Sequence, residues 1–141
     1  MRRIVERIPA HVRVVVLTAA YGVAAGLASV AFMLSVNGTF QFLWDRLTAR
    51  GPYFFVVASL FTIVLTSAAS GILMARVSPE AAGSGIPQLK AAYWRELGVV
   101  SFRSVLVKFV GGVLAIGGGA SLGREGPTVF IAGGLASNTA A

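Results

Sequence analysis

Charged side chains divide the chain into long apolar runs and short polar segments. Two runs, Val14–Trp44 and Pro52–Ala75, contain no charged residue. About 20 apolar residues cross the hydrocarbon core of a bilayer, so each run is long enough to span a membrane, the first with a tilt. Because a helix satisfies its own backbone hydrogen bonds in lipid, we predict two transmembrane helices joined by the polar segment Asp45–Gly51.

The chain after Ala75 predicts shorter, interrupted helices. Its apolar stretches are broken by glycine, proline and charge, and the run Gly117–Gly119 stands where a simple membrane anchor would keep large apolar residues. Irregular backbone at membrane depth is typical of transporters, in which it lines a binding cavity. The predicted fold class is therefore an all-α integral membrane protein with tilted transmembrane helices and short broken helices.

The composition agrees with a membrane protein and disfavours a water-soluble enzyme. Of the 141 residues, 56% are hydrophobic and 12% are charged, whereas about 25% of a typical soluble domain is charged. The net charge is +7, but the basic residues lie in clusters between apolar runs and form no face for nucleic acid. With no cysteine and one histidine, we predict no metal site and no cofactor. The sequence also contains no recognisable nucleophile–base pair of the kind that would indicate an enzyme.

Two features of the first apolar run, a pair of glycines and a possible cleavage site, each have two interpretations. Gly22 and Gly26 form a small-residue pair that lets another helix approach closely, although small residues are also common in membrane helices in general. Ser29–Ala31 resembles a signal-peptide cleavage site, but the run is longer than the roughly 7–15 residues of a signal core and continues past the site. We therefore predict a retained membrane helix.

The distribution of basic residues predicts the orientation in the membrane. Residues 1–13 hold four arginines against one glutamate, Asp45–Arg50 holds two arginines against one aspartate, and Arg76–Lys108 holds five basic against two acidic residues. Segments rich in lysine and arginine stay in the cytoplasm. We expect residues 1–13 to be a cytoplasmic segment, the first loop to lie outside, and Arg76–Lys108 to contain loops that face the cytoplasm.

Two glycine–proline turns carry the candidate chemistry. In Gly83–Pro87 and in Gly123–Pro127 the proline suits the first turn of a helix, where its missing N–H costs nothing. The preceding glycines let the backbone turn sharply and leave amides free. A helix N-terminus with free N–H groups and the positive end of the helix dipole is a natural anion site.

The polar residues in these turns have structural and functional interpretations. Ser84 can cap a helix or turn its hydroxyl towards a ligand. Arg124 and Glu125 can form an ordinary ion pair at a membrane edge. A glutamate inside a membrane is expensive, however, so Glu125 is a functional candidate that can occupy the anion site itself and leave when it is protonated.

Together the two turns resemble the first two selectivity-filter segments of the CLC family of chloride channels and chloride/proton antiporters. The similarity includes Val107–Gly112, the Gly117–Gly119 run and Thr128–Val129. The matching filter residues are Gly83, Ser84, Gly85, Ile86, Pro87, Gly123, Arg124, Glu125, Gly126 and Pro127.

The resemblance implies a function and a role for each site residue. The hydroxyl of Ser84 would coordinate a central chloride or similar monovalent anion, helped by the backbone amides of Gly85 and Ile86. Glu125 would be the gating glutamate, which blocks the outer site as a carboxylate and relays a proton in antiporters. The expected protein lies in the cell (inner) membrane, passes chloride with or without proton exchange, and belongs to a family of homodimers.

Length is the main departure from the family, whose members consist of two inverted halves over several hundred residues. We expect residues 14–141 to be an incomplete CLC transmembrane domain, part of the first half, without the dimer-interface helices, and the chain to be a truncated product or partial sequence. Gln88 stands where many relatives have glutamate, and Lys90 is basic as in some of them. The alternative function is a short membrane protein without transport of its own, or a nonfunctional remnant.

Overall fold

The computed structural model describes residues 10–49, 51–95 and 98–140, and every regular secondary-structure element in these ranges is a helix. This confirms the predicted all-α class. The helix α1 begins at Ala10, so it includes the last residues of the segment expected in the cytoplasm, and residues 1–9 lie outside the described residues. The helices are α1 (Ala10–Thr48), α2 (Pro52–Val77), a 3₁₀ turn (Pro79–Ala81), α3 (Ile86–Arg95), α4 (Phe102–Gly117) and α5 (Glu125–Ala140).

The first two helices are the long apolar pair that the charge pattern predicts. Both α1 and α2 are long and apolar enough to cross a membrane. Their outer faces keep large apolar side chains exposed, among them Leu27 at 66%, Val57 at 70% and Phe61 at 68%. A surface of this kind is stable against lipid tails but not against water. At the turn between the helices, Gly51 has a φ of +96° and Pro52 begins α2.

The helix α4 lies at the centre and contacts α1, α2 and α5, while α5 also packs on α1 and α3. The centre of the core is Phe32 of α1, which is fully buried and lies edge-on to Phe109 of α4 with 5.5 Å between ring centroids. The buried cluster extends from there towards α3 and α5. It consists of Phe32, Val36, Ala92, Val100, Val105, Phe130 and Ile131.

Close helix contacts occur at glycines of α4. A Cβ atom added at Gly111 would lie 2.6 Å from the Met74 methyl carbon of α2, and one added at Gly112 would lie 2.9 Å from the Phe32 ring of α1. By contrast, no atom lies within 4 Å of a Cβ added at Gly22 or Gly26. Among the described residues, Gly22 and Gly26 therefore make no close contact with another helix.

Candidate functional site

The first glycine–proline turn has the predicted backbone shape. Gly83 and Gly85 have φ angles of +79° and +91°, in the left-handed region that side chains other than glycine rarely adopt. The helix α3 begins at Ile86, which puts Pro87 in its first turn, and the amide of Leu89 donates to the carbonyl of Gly85 over 3.0 Å. The chain thus turns sharply and begins a helix within three residues of Ser84.

The second turn begins α5 at Glu125 and places Pro127 in the first helical turn. The carbonyl of Arg124 accepts the first helical hydrogen bond, from the amide of Thr128 over 3.1 Å, and a second from the Thr128 hydroxyl over 2.7 Å. The amides of Glu125 and Gly126 precede any intrahelical partner, since the first N–H groups of a helix have none. This helix beginning therefore presents free N–H groups.

The two turns are in direct contact although about forty residues separate them. A Cβ atom added at Gly126 would overlap the carbonyl oxygen of Ser84, and one added at Gly85 would lie 2.7 Å from the Cβ atom of Phe130. The backbone around Ser84 is thus pressed against the first turns of α5. Gly126 is required here because any side chain would separate the two segments.

Residues of both turns line one cavity of about 670 Å³. A water molecule occupies roughly 30 Å³ of liquid volume, so the cavity is large enough for a hydrated small ion. Ser84 and Glu125 both lie on its wall, opposite residues of α2 and α4. The wall consists of Ser67, Ser70, Gly71, Met74, Gly83, Ser84, Ile86, Lys108, Gly111, Gly112, Ala115, Ile116, Leu122, Gly123, Glu125, Gly126 and Pro127.

The two charged side chains of the second turn, Arg124 and Glu125, contact different parts of the structure. A Cβ atom added at Gly123 would lie 2.7 Å from Oε2 of Glu125, so the carboxylate of Glu125 folds back over this glycine. The guanidinium of Arg124 instead donates from Nη1 to Oδ1 of Asn37 on α1, over 3.1 Å. The structure thus directs Arg124 to α1 and leaves the Glu125 carboxylate, which is solvent-exposed, at the cavity.

Lys108 is a cavity residue that was not among the predicted site residues. It lies in α4, is 1% exposed and lines the cavity. Its ammonium group donates to the carbonyl of Ala81 over 2.9 Å and to the carbonyl of Gly83. The signal was present in the sequence, because a lone lysine inside an apolar membrane run marks a functional position.

The cavity offers positive groups and no metal cage. In the described ranges, no cluster of three histidine, cysteine, aspartate or glutamate side chains is arranged to hold a metal ion. The lining includes Ser84, residues at the beginnings of α3 and α5, the buried Lys108 and Glu125. This set suits a small anion that competes with a carboxylate.

The fold is that of an integral membrane protein in which short, interrupted helices surround a cavity. Residues 66–141 match the family described as voltage gated chloride channel, and the chain belongs to this family. The matched residues include both glycine–proline turns and the helices α3, α4 and α5.

Curated relatives extend the similarity over nearly the whole chain. The chain is 34% identical over 142 residues to the H(+)/Cl(-) exchange transporter ClcA of Klebsiella pneumoniae strain 342. It is 35% identical to the transporter of the same name from Klebsiella pneumoniae subsp. pneumoniae, and 34% identical to that of Salmonella arizonae. In each case the match covers 96% of this chain and 29% of the relative. The chain therefore spans less than a third of the length of these relatives.

Proposed function

We propose that the chain forms part of a transporter that carries chloride, or a similar monovalent anion, across a membrane in exchange for protons. The observation that carries this proposal is the contact of two helix beginnings, at Ser84 and Gly126, beside one cavity. Free amides and the positive ends of two helix dipoles attract an anion there. The printed names of the relatives, H(+)/Cl(-) exchange transporters, support chloride and protons as the transported ions.

The proposed roles follow the positions of the side chains. The Ser84 hydroxyl and the amides of Gly85 and Ile86 bind the anion, since the sharp turn at Gly85 brings the hydroxyl and the start of α3 together. The carboxylate of Glu125 competes with the anion for the beginning of α5. Protonation neutralises this carboxylate and frees the positive helix end, so one side chain both opens the anion path and carries a proton.

The proposed setting is the cell (inner) membrane, with the N-terminus in the cytoplasm and a homodimeric assembly of the whole protein. Removing the buried Lys108 from the loop charges leaves four basic against two acidic residues in the region 76–108. The basic excess of this region stays above that of the loop between α1 and α2, which keeps the proposed orientation.

The test is a transport assay on a protein of the relatives' full length that contains this chain, purified into liposomes. In a chloride gradient we expect chloride efflux to drive proton uptake. Glu125→Gln removes the titratable group, and we expect proton uptake to fall to the level of empty liposomes while chloride still moves. The matched control is Asp45→Asn at the exposed end of α1, which should leave both fluxes unchanged.

Two results would contradict the proposal. Unchanged proton uptake in Glu125→Gln would remove the proposed role of that residue. Absence of both chloride and proton flux in the unmodified protein, with correct insertion verified by protease protection, would favour the alternative of a membrane protein without transport of its own.

A further inference from the structure

The segment that leads into Ser84 is anchored to α4 through two buried side chains. The hydroxyl of Ser104 donates to Oε2 of Glu80 over 3.1 Å. Because a hydroxyl has one proton, Ser104 then accepts the proton of the Ser78 hydroxyl, over 2.9 Å. One turn further along α4, Lys108 reaches the carbonyls of Ala81 and Gly83.

Three consecutive carbonyls before Ser84 are held by side chains. Lys108 donates to the carbonyl of Ala81, the side-chain amide of Gln88 donates to that of Ala82, and Lys108 donates again to that of Gly83. These contacts come from α3 and α4. The glycines permit this turn, and the contacts from α3 and α4 fix the direction of the peptide planes within it.

Holding the Gly83 carbonyl also sets the direction of the next amide. In a trans peptide the C=O and the following N–H point in opposite directions, and no peptide bond in the described residues is cis. A carbonyl of Gly83 that is turned towards Lys108 thus directs the N–H of Ser84 away from Lys108.

We propose that Lys108 is a positioning residue that orients the peptide planes before Ser84, with Gln88 as its uncharged counterpart. This inference rests on the proposed function, because it requires an anion site at Ser84. Burial supports it, since Lys108 is 1% exposed and its two backbone partners lie in the same turn. A lysine that acted only as a distant positive charge would need neither contact.

The experiment measures chloride affinity by titration calorimetry on a protein of the relatives' full length that contains this chain. We expect Lys108→Met to raise the dissociation constant about tenfold, because two charge-assisted hydrogen bonds are lost. Gln88→Leu removes an anchor without changing any charge, and we expect an increase of about threefold for one neutral hydrogen bond. Lys108→Arg keeps a donor and should recover part of the affinity that Lys108→Met loses.

The matched control is Lys90→Met, which removes the exposed lysine of α3 and should leave the affinity unchanged. Weaker binding in Lys108→Met combined with wild-type affinity in Gln88→Leu would overturn the positioning role, since charge alone would then explain the loss. Wild-type affinity in both variants would also overturn it. If Lys108→Met does not fold, Gln88→Leu alone decides the matter. Absence of chloride binding in the unmodified protein would instead contradict the proposed function.

Discussion

The long helices and the short helices of this chain are built on opposite uses of small residues. In α1 a side chain added at Gly22 or Gly26 would meet nothing, and large apolar residues cover the exposed surface. At Gly126 and Gly112 an added carbon would strike the neighbouring segment. The exposed faces of the long helices therefore need only large apolar side chains towards lipid, whereas the second region depends on backbones that touch because side chains are missing.

We expect the largest loss of stability from a substitution at Gly126, where two backbone segments touch. Gly126→Ala places a carbon against the carbonyl oxygen of Ser84, and the obstructing atom belongs to the backbone, which cannot rotate away. We expect a loss of about 3 kcal/mol in the free energy of unfolding and weaker chloride binding. Gly22→Ala is the matched control and should change neither quantity measurably. Equal stability of the two variants in a thermal melt would show that the turns do not touch.

The next effect is expected at the aromatic centre of the core. Phe32→Ala empties a fully buried site between α1 and α4. Moving an apolar side chain from lipid into the protein core contributes little free energy, so the loss comes from missing packing contacts and the cavity that is left. We expect the free energy of unfolding to fall by about 2 kcal/mol. Leu27→Ala, on the exposed face of the same helix, should cost less than about 0.5 kcal/mol. Equal losses in chemical denaturation would place Phe32 outside the core.

A smaller effect is expected where α1 meets the second turn. Asn37→Ala removes the acceptor for Arg124 on an exposed surface. We expect the free energy of unfolding to fall by at most about 1 kcal/mol, as for one solvent-exposed hydrogen bond. Asn37→Asp keeps an acceptor and should retain wild-type stability. A melting temperature in Asn37→Asp as low as that in Asn37→Ala would exclude the hydrogen bond as the cause.

We expect the smallest effect on stability at Gly123, together with a change in the coupling of chloride and proton fluxes. Gly123→Ala meets only the carboxylate of Glu125, the mobile end of a flexible side chain, so we expect a change within about 0.5 kcal/mol. The displaced carboxylate should nevertheless alter the coupling between chloride and proton fluxes in liposomes. Unchanged coupling would mean that the position of the carboxylate over Gly123 has no role in transport.

The same contrast explains which features the sequence could predict. The charge-free runs were sufficient for α1 and α2, because length and apolarity alone specify a membrane-spanning helix. The starts of α3 and α5 followed from glycine and proline chemistry, which is local. Neither pattern distinguishes Gly22, which is open, from Gly112, which is filled by Phe32, because the difference depends on which helix lies opposite.

Lys108 shows the same limit for a charged residue. The sequence shows a lone lysine inside an apolar run but not its partners, which are the carbonyls of Ala81 and Gly83, more than twenty residues earlier in the chain. Carbonyl groups carry no residue-specific signal, so only the folded chain reveals the contact. The proximity of the two turns, by contrast, is implied by the family resemblance, in which both are segments of one selectivity filter.

The most direct test of an anion site between the beginnings of α3 and α5 is a crystal structure, with bromide in place of chloride. The protein should have the relatives' full length and contain this chain. We expect an anomalous peak within hydrogen-bonding distance of the Ser84 hydroxyl, and a second peak at the beginning of α5 in Glu125→Gln. A structure with Ser84 and Glu125 on separate surfaces, or with no bromide at either helix beginning, would contradict it.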